Sequence, residues 1–407
     1  MIDFIKFIIV LLSIILPLRF GLNLGIVMLA NSLLLAILCL MPPLTFIKTV
    51  FFSVTEKTTI LLLLFLIMVA LLEKIMNQCG QLERMIKAME RFIPSRRLRL
   101  IVMPAFLGFL ASPGGAMFSA PFVEKAAKPL GINAEQKTFI NYWFRHIWEY
   151  FLPTYPGVIL TFALLNVSYN TFFKLIWIYT PVAIIGGILF GLLPLRLGNK
   201  KEDDTEKKSG SMKELIFGIL PIAALLCLVI IFKLDMTLSL FGILVIMIIC
   251  YKIPLKELPL MLKQSFNYKL LLSVLAIFIF KDVLQASGIA AGTSQYLVKA
   301  GIHTAILFFI VPLLVGILTG VTQAFVGITF PILMGIMPAG GNLKLFGFAF
   351  LCGVMGVLLS PAHLCLALTA EYFNTKISKI YKYLWGPVAL LLAVSIVVTF
   401  VTFIVKR

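Results

Sequence analysis

Long apolar runs of roughly 15–25 residues, separated by short basic loops, constrain this chain more than any other feature it has. In a bilayer every backbone polar group must be satisfied internally, so only helices and closed barrels can span it. Runs of this length fit helices of about 20 residues and not the alternating strands of a barrel. Composition agrees: 61% of the residues are hydrophobic and 13% charged, against about 45–50% and about 25% in soluble domains. A soluble enzyme, a disordered tail and a disulfide scaffold are therefore excluded. The fold class is all-α integral membrane.

Candidate spans cover 4–18, 21–40, 58–76, 138–168, 173–195, 214–232, 237–251, 268–285, 343–370 and 385–405, about ten transmembrane helices. The first has the length of a signal-peptide core. It lacks a small-residue cleavage site and another run follows at once, so it reads as a span. The segment from Lys200 to Glu214 carries ten charges in fifteen residues and reads as a cytoplasmic linker.

The linker, 199–213, separates two structural repeats, 1–198 and 214–407. Pro104 matches Pro312, Gly108 matches Gly316 and Pro153 matches Pro361, each 208 positions on. Pro121 matches Pro331 at 210, and the pair Glu73-Lys74 matches Lys281-Asp282 at 208. Short loops rich in Lys and Arg mark the cytoplasmic side. One assignment places 24 of the 35 basic residues on that side and 8 on the other. It needs five crossings per repeat, so the second repeat is inverted relative to the first.

The same count requires 98–124 and 303–338 to enter and return on one side, as re-entrant helical hairpins. The arms beside Pro113-Gly114-Gly115 are about 20 Å long at 1.5 Å per residue, short of a core of about 30 Å. Four helix breaks then meet near the midplane. Two are the hairpin tips, at Ser112, Gly114 and Gly115 and at Thr319, Thr322 and Gln323. Two are broken helices, at Pro153-Thr154 and at Ser360-Pro361-Ala362-His363. Breaks free backbone N–H and C=O groups, and paired discontinuous helices mark transporter sites. Thr154, Ser360 and His363 join the hairpin tips as candidate substrate-binding residues.

Few ionisable residues are buried in the runs. Arg145, His146 and Glu149 fall on one predicted helix, with Arg145 and Glu149 four apart and able to share a face. A charge at that depth reads as functional, as coupling group or charge pair. Glu73-Lys74 and Lys281-Asp282 lie near predicted helix ends, where long side chains reach the interface. The six cysteines are scattered in apolar runs, with no metal or disulfide spacing, and read as packing residues. His146, His303 and His363 form no metal set. No metalloprotease, P-loop or nucleophile-elbow motif is present, so the chain is not expected to be an enzyme. No basic–aromatic groove argues for nucleic acid.

The stretch FLGFLASPGGAMFSAPFVEKA, followed by NYWFRHIWEYFLPTYPG, resembles the family of prokaryotic membrane proteins called domain of unknown function 401. That family is grouped in the ion-transporter superfamily with divalent-anion:sodium symporters, gluconate permeases and the arsenite pump subunit. The resemblance covers nearly the whole chain. It implies inverted repeats, two hairpins, a homodimer and elevator-type movement. In dicarboxylate members Ser-Asn-Thr motifs at the hairpin tips bind sodium and carboxylate. The matching positions here are Ser112-Pro113-Gly114 and Thr319-Gly320-Val321-Thr322, both without the asparagine, so no substrate carries over.

The expected function is secondary transport of a small anionic solute, coupled to H+ or Na+, with no cofactor. The membrane would be the cytoplasmic (inner) membrane of a prokaryote, crossed many times. Expected partners are the solute, membrane lipid and a second copy of the chain. The alternative is a lipid or isoprenoid-phosphate flippase or enzyme embedded in the membrane.

Overall fold

The computed structural model describes residues 2–81, 84, 93, 95–109, 116–193, 212–289, 292–293, 296, 300–301, 303–337 and 342–401. Among them the fold is all helical, with no strand. The first half holds α1 (Ile2–Arg19), α2 (Leu24–Leu38), α3 (Pro43–Thr55), α4 (Lys57–Gln78), α5 (Arg96–Leu107), α6 (Ala116–Ala127), α7 (Ala134–Arg145), α8 (Pro156–Leu164), α9 (Tyr169–Ile176) and α10 (Tyr179–Gly187). The second half holds α11 (Met212–Leu226), α12 (Met236–Cys250), α13 (Leu258–Ser265), α14 (Tyr268–Ser287), α15 (Thr304–Thr319), α16 (Thr322–Ile336), α17 (Leu343–Leu359), α18 (Leu364–Tyr372) and α19 (Ile377–Ile396).

Local chemistry sets many of these boundaries. Asn23, Ser95, Asn133, Ser168, Asp235, Asn267 and Asn342 each cap a helix start by accepting from a backbone N–H of the first turn. Gly320 ends α15 with φ +63°, a left-handed conformation that costs glycine little.

Five described helices are long and apolar enough to cross a membrane: Lys57–Gln78, Tyr169–Leu192, Tyr268–Ser287, Leu343–Tyr372 and Ile377–Thr399. The runs read at 21–40, 214–232 and 237–251 fold as the shorter apolar helices Leu24–Leu38, Ile216–Ile231 and Met236–Cys250. Fifteen helical residues rise only about 22 Å. Outward faces carry exposed Leu12, Leu33, Phe241, Ile246 and Trp385, as a lipid-facing surface requires.

The two regions read as hairpins fold as helix pairs. Helix α15 packs on α16 across Gly320-Val321, and α5 packs on α6. The tip between α5 and α6 carries Ser112, Gly114 and Gly115, which lie outside the described residues.

Helix α17 is the centre of the molecule. It is apolar all round, and every residue from Leu345 to Leu359 is buried. Its closest neighbour is α15, and small residues make the approach possible. A Cβ on Gly356 would sit 2.2 Å from the Leu313 carbonyl oxygen, and one on Gly316 would sit 2.4 Å from the Gly353 oxygen.

Contacts between the halves are reciprocal. Helix α4 packs on α12 and α13, while α14 packs on α2 and α3. Helix α16 packs on α8, while α18 packs on α6. Each half thus packs several of its helices against the other.

Lys281-Asp282 lies in the last two turns of α14, as expected, but does not reach the interface. Asp282 is buried and accepts from the Ser53 hydroxyl at 2.6 Å. Lys281 stands 3.2 Å from Asp282 and 3.8 Å from Glu56. The contact of α3 with α14 encloses these charges, so they pair with one another instead of reaching for water.

Candidate functional site

Helix α7 ends at Arg145, and residues 146–151 form turns. The expectation that Arg145 and Glu149 share a helical face therefore fails. The cause is tertiary. The Thr180 hydroxyl donates to Ile147 O at 2.7 Å and the Tyr169 hydroxyl to Phe151 O at 2.7 Å. Carbonyls held from outside the segment do not need a continued helix, and Pro153 and Pro156 offer no N–H to extend one.

This turn segment closes the end of α5. Arg145 Nη1 donates to Leu107 O at 3.0 Å, and Trp148 Nε1 donates to Ala105 O at 2.6 Å. Tyr155 Oη donates to Gly108 O, and Thr154 Oγ1 to Phe109 O at 3.4 Å. The last carbonyls of a helix lack intrahelical partners; here four side chains supply them. Gly108 has no room for a side chain, since a Cβ would sit 2.2 Å from Arg145 O.

The break in the second half is tied to its own hairpin. Ser360 Oγ donates to Ile317 O at 2.6 Å and accepts from Ala362 N at 3.2 Å. A Cβ on Gly320 would touch the His363 backbone nitrogen at 2.8 Å. The two halves then meet directly: a Cβ on Gly157 would reach Thr322 Cγ2 at 2.4 Å.

Between these breaks lies a cavity of about 580 Å³, within the range of small-molecule sites. Of the residues singled out in the sequence, Arg145, His146, Glu149, Thr154, Thr319, Thr322 and Gln323 line it. Ser360 and His363 are buried and are not among its lining residues. The structure adds Glu73, Asn267, Lys269 and Cys365 to the wall. The sequence predicts an interface residue at Glu73 and a packing residue at Cys365, and the fold places both on the wall. The charge of Glu73 within an apolar run is the sequence signal for it.

Two helices begin on this wall, one from each half. Thr154, Tyr155, Pro156 and Gly157 lead into α8, and Val321, Thr322, Gln323 and Ala324 open α16. Neither start has a side-chain cap, at Tyr155 or at Val321. Helix N-termini carry partial positive charge and unsatisfied N–H groups.

His146 on this wall faces the buried His363, with Nε2 atoms 3.2 Å apart. The rings stand edge to face at 82°. His146 Nδ1 lies 2.6 Å from Tyr142 O, and a carbonyl only accepts, so Nδ1 carries the proton. The neutral His146 Nε2 is then the acceptor and His363 Nε2 the donor. Glu149 Oε1 stands 3.8 Å from His146 Nε2, and among the described residues neither its buried Oε2 nor His363 Nδ1 has a hydrogen-bond partner. The sequence reading found no metal set among the histidines. The fold brings two of the three together, with Cys365 beside them.

The model of a family described as protein of unknown function (DUF401) matches residues 4–402, and the chain belongs to that family. No curated protein matches it.

Proposed function

We propose that this family member is a secondary transporter of a small anionic solute. The observation that carries the reading is the pair of uncapped helix N-termini, one from each half, that open onto one cavity. Such termini bind anions without further help, and paired ones from related halves are a transporter arrangement. Arg145 and Lys269 on the wall stand with Glu73 and Glu149, so the wall carries both signs of charge. The reciprocal packing of α4 and α14, and of α8 and α18, supports two inverted repeats around this centre.

In this reading Thr154, Thr319, Thr322 and Gln323 contact the solute, with Ser112, Gly114 and Gly115 at the first hairpin tip. Glu149 and its neighbours couple the movement to H+ or Na+. The family resemblance adds about ten spans, an elevator-type motion, a homodimer and the inner membrane of a prokaryote.

The test is ligand-induced thermal stabilisation of the purified protein. The panel holds small carboxylates, oxyanions and sugar acids, each with Na+ and with K+, across pH 5 to 8. A ligand at 100 times its Kd stabilises the folded state by about 2.7 kcal/mol. One soluble anion is expected to raise the melting temperature. No response to any of them, with a response to an isoprenoid phosphate, would overturn the reading in favour of a lipid substrate.

A further inference from the structure

We propose that His146, His363 and Cys365 bind a transition-metal ion of the Zn2+ class. Their donor atoms, two imidazole nitrogens and a sulfur, all lie within 4.8 Å of one another. A tetrahedral ion about 2.0–2.1 Å from each imidazole nitrogen sets two such nitrogens about 3.3 Å apart. The observed Nε2–Nε2 distance is 3.2 Å. The sulfur needs to close by roughly 1 Å to reach the edge of such a site, within the range of one side-chain rotation on a half-buried residue.

The surroundings fit a metal site. Metal-bound histidine commonly donates its other N–H to a carbonyl or carboxylate, which fixes the ring. His146 does so through Nδ1 to Tyr142 O. Both histidines are buried, so each imidazole is held in place by packing. The Glu149 carboxylate, 3.8 Å from His146 Nε2, lies beside this three-residue set without being a member of it, so water completes the coordination. Two nitrogens and a thiolate select a borderline-soft divalent ion over Mg2+ or Ca2+, which take oxygen.

Binding has a defined proton balance. The ion takes the lone pairs of both Nε2 atoms and of the Cys365 thiolate. The Cys365 thiol releases one proton to solvent. The proton on His363 Nε2 moves to Nδ1, the atom now without a partner. His146 belongs to the first half of the chain, and His363 and Cys365 to the second. The ion therefore ties the two halves together at the cavity wall. This inference does not depend on anion transport.

Co2+ is the probe, added to the purified full-length protein in detergent. Wild type should bind one more equivalent than Cys365→Ser, with a thiolate-to-cobalt band in the near ultraviolet and strong visible bands of a tetrahedral ion. Zn2+ should bleach both. The near-ultraviolet band should vanish in Cys365→Ser, and the visible bands should weaken in His363→Gln. A second measurement needs no variant: Zn2+ should protect Cys365 from alkylation while the other five cysteines react as before. Absence of the bands in wild type, or their persistence in Cys365→Ser, overturns the proposal, and so does unchanged alkylation of Cys365. Anion-induced stabilisation is read in separate metal-free samples, so failure of the transport reading and failure of the metal site are distinguishable.

Discussion

His146 and His363 lie 217 positions apart in the chain, yet their Nε2 atoms approach to 3.2 Å inside the protein. Removing either leaves a buried nitrogen unpaired, which costs about 1–3 kcal/mol. His146→Ala and His363→Ala are each expected to lower stability in thermal melts by that order. The double variant should lose less than the sum, with a coupling of about 0.5–3 kcal/mol. Strict additivity would show that the pair contributes nothing as a pair.

Gly356→Ala should destabilise the protein by about 1–3 kcal/mol, because its Cβ would press on the Leu313 carbonyl and force α15 away from α17. Gly242→Ala is the internal control: no described residue lies within 4 Å of its Cβ position. It should be neutral or gain up to about 1 kcal/mol of helix propensity. Melting temperatures of the two variants, side by side, check this.

Asp282→Leu should cost about 3–5 kcal/mol, since it leaves Lys281 and the Ser53 hydroxyl in a buried place without their carboxylate. Asp282→Asn with Lys281→Gln should recover part of the loss. Folded yield and melting temperature are the measurements. Equal damage from the single and double variants would show that the cluster is held by shape and not by charge.

Trp148→Phe removes the donor to Ala105 O and trims the ring that stacks on Phe109. It should lower stability by about 1 kcal/mol while leaving anion-induced stabilisation in place. The same experiment on Glu149→Gln should give the opposite pattern, a small change in melting and a loss of about tenfold or more in anion affinity or transport, about 1.4 kcal/mol. Full activity in both Glu149→Gln and Arg145→Gln would remove those two residues from the mechanism.

Much of this architecture is legible in the sequence. Hydrophobicity is a property of each residue, and a run of about 20 apolar residues declares a helix whatever surrounds it. The proline and glycine positions are equally local. Pro153, Pro156 and Gly320 mark breaks because a missing N–H, or a left-handed φ, acts on the neighbouring turn alone. So the helix pairs and the break residues Thr154, Thr319, Thr322 and Gln323 could be named from the sequence, and the cavity collects them.

What tertiary structure alone decided is where side chains far apart in the chain point. The end of α7 at Arg145 depends on Thr180 and Tyr169 taking carbonyls from another part of the fold. Lys281-Asp282 looked like an interfacial pair until α3 covered it. Cys365 looked like packing until a histidine 219 positions earlier was brought beside it. The physical reason is the same in each case. Apolarity and backbone geometry act within a few residues, whereas a hydrogen bond or a ligand set exists only once packing has fixed two distant backbones to within a few ångströms.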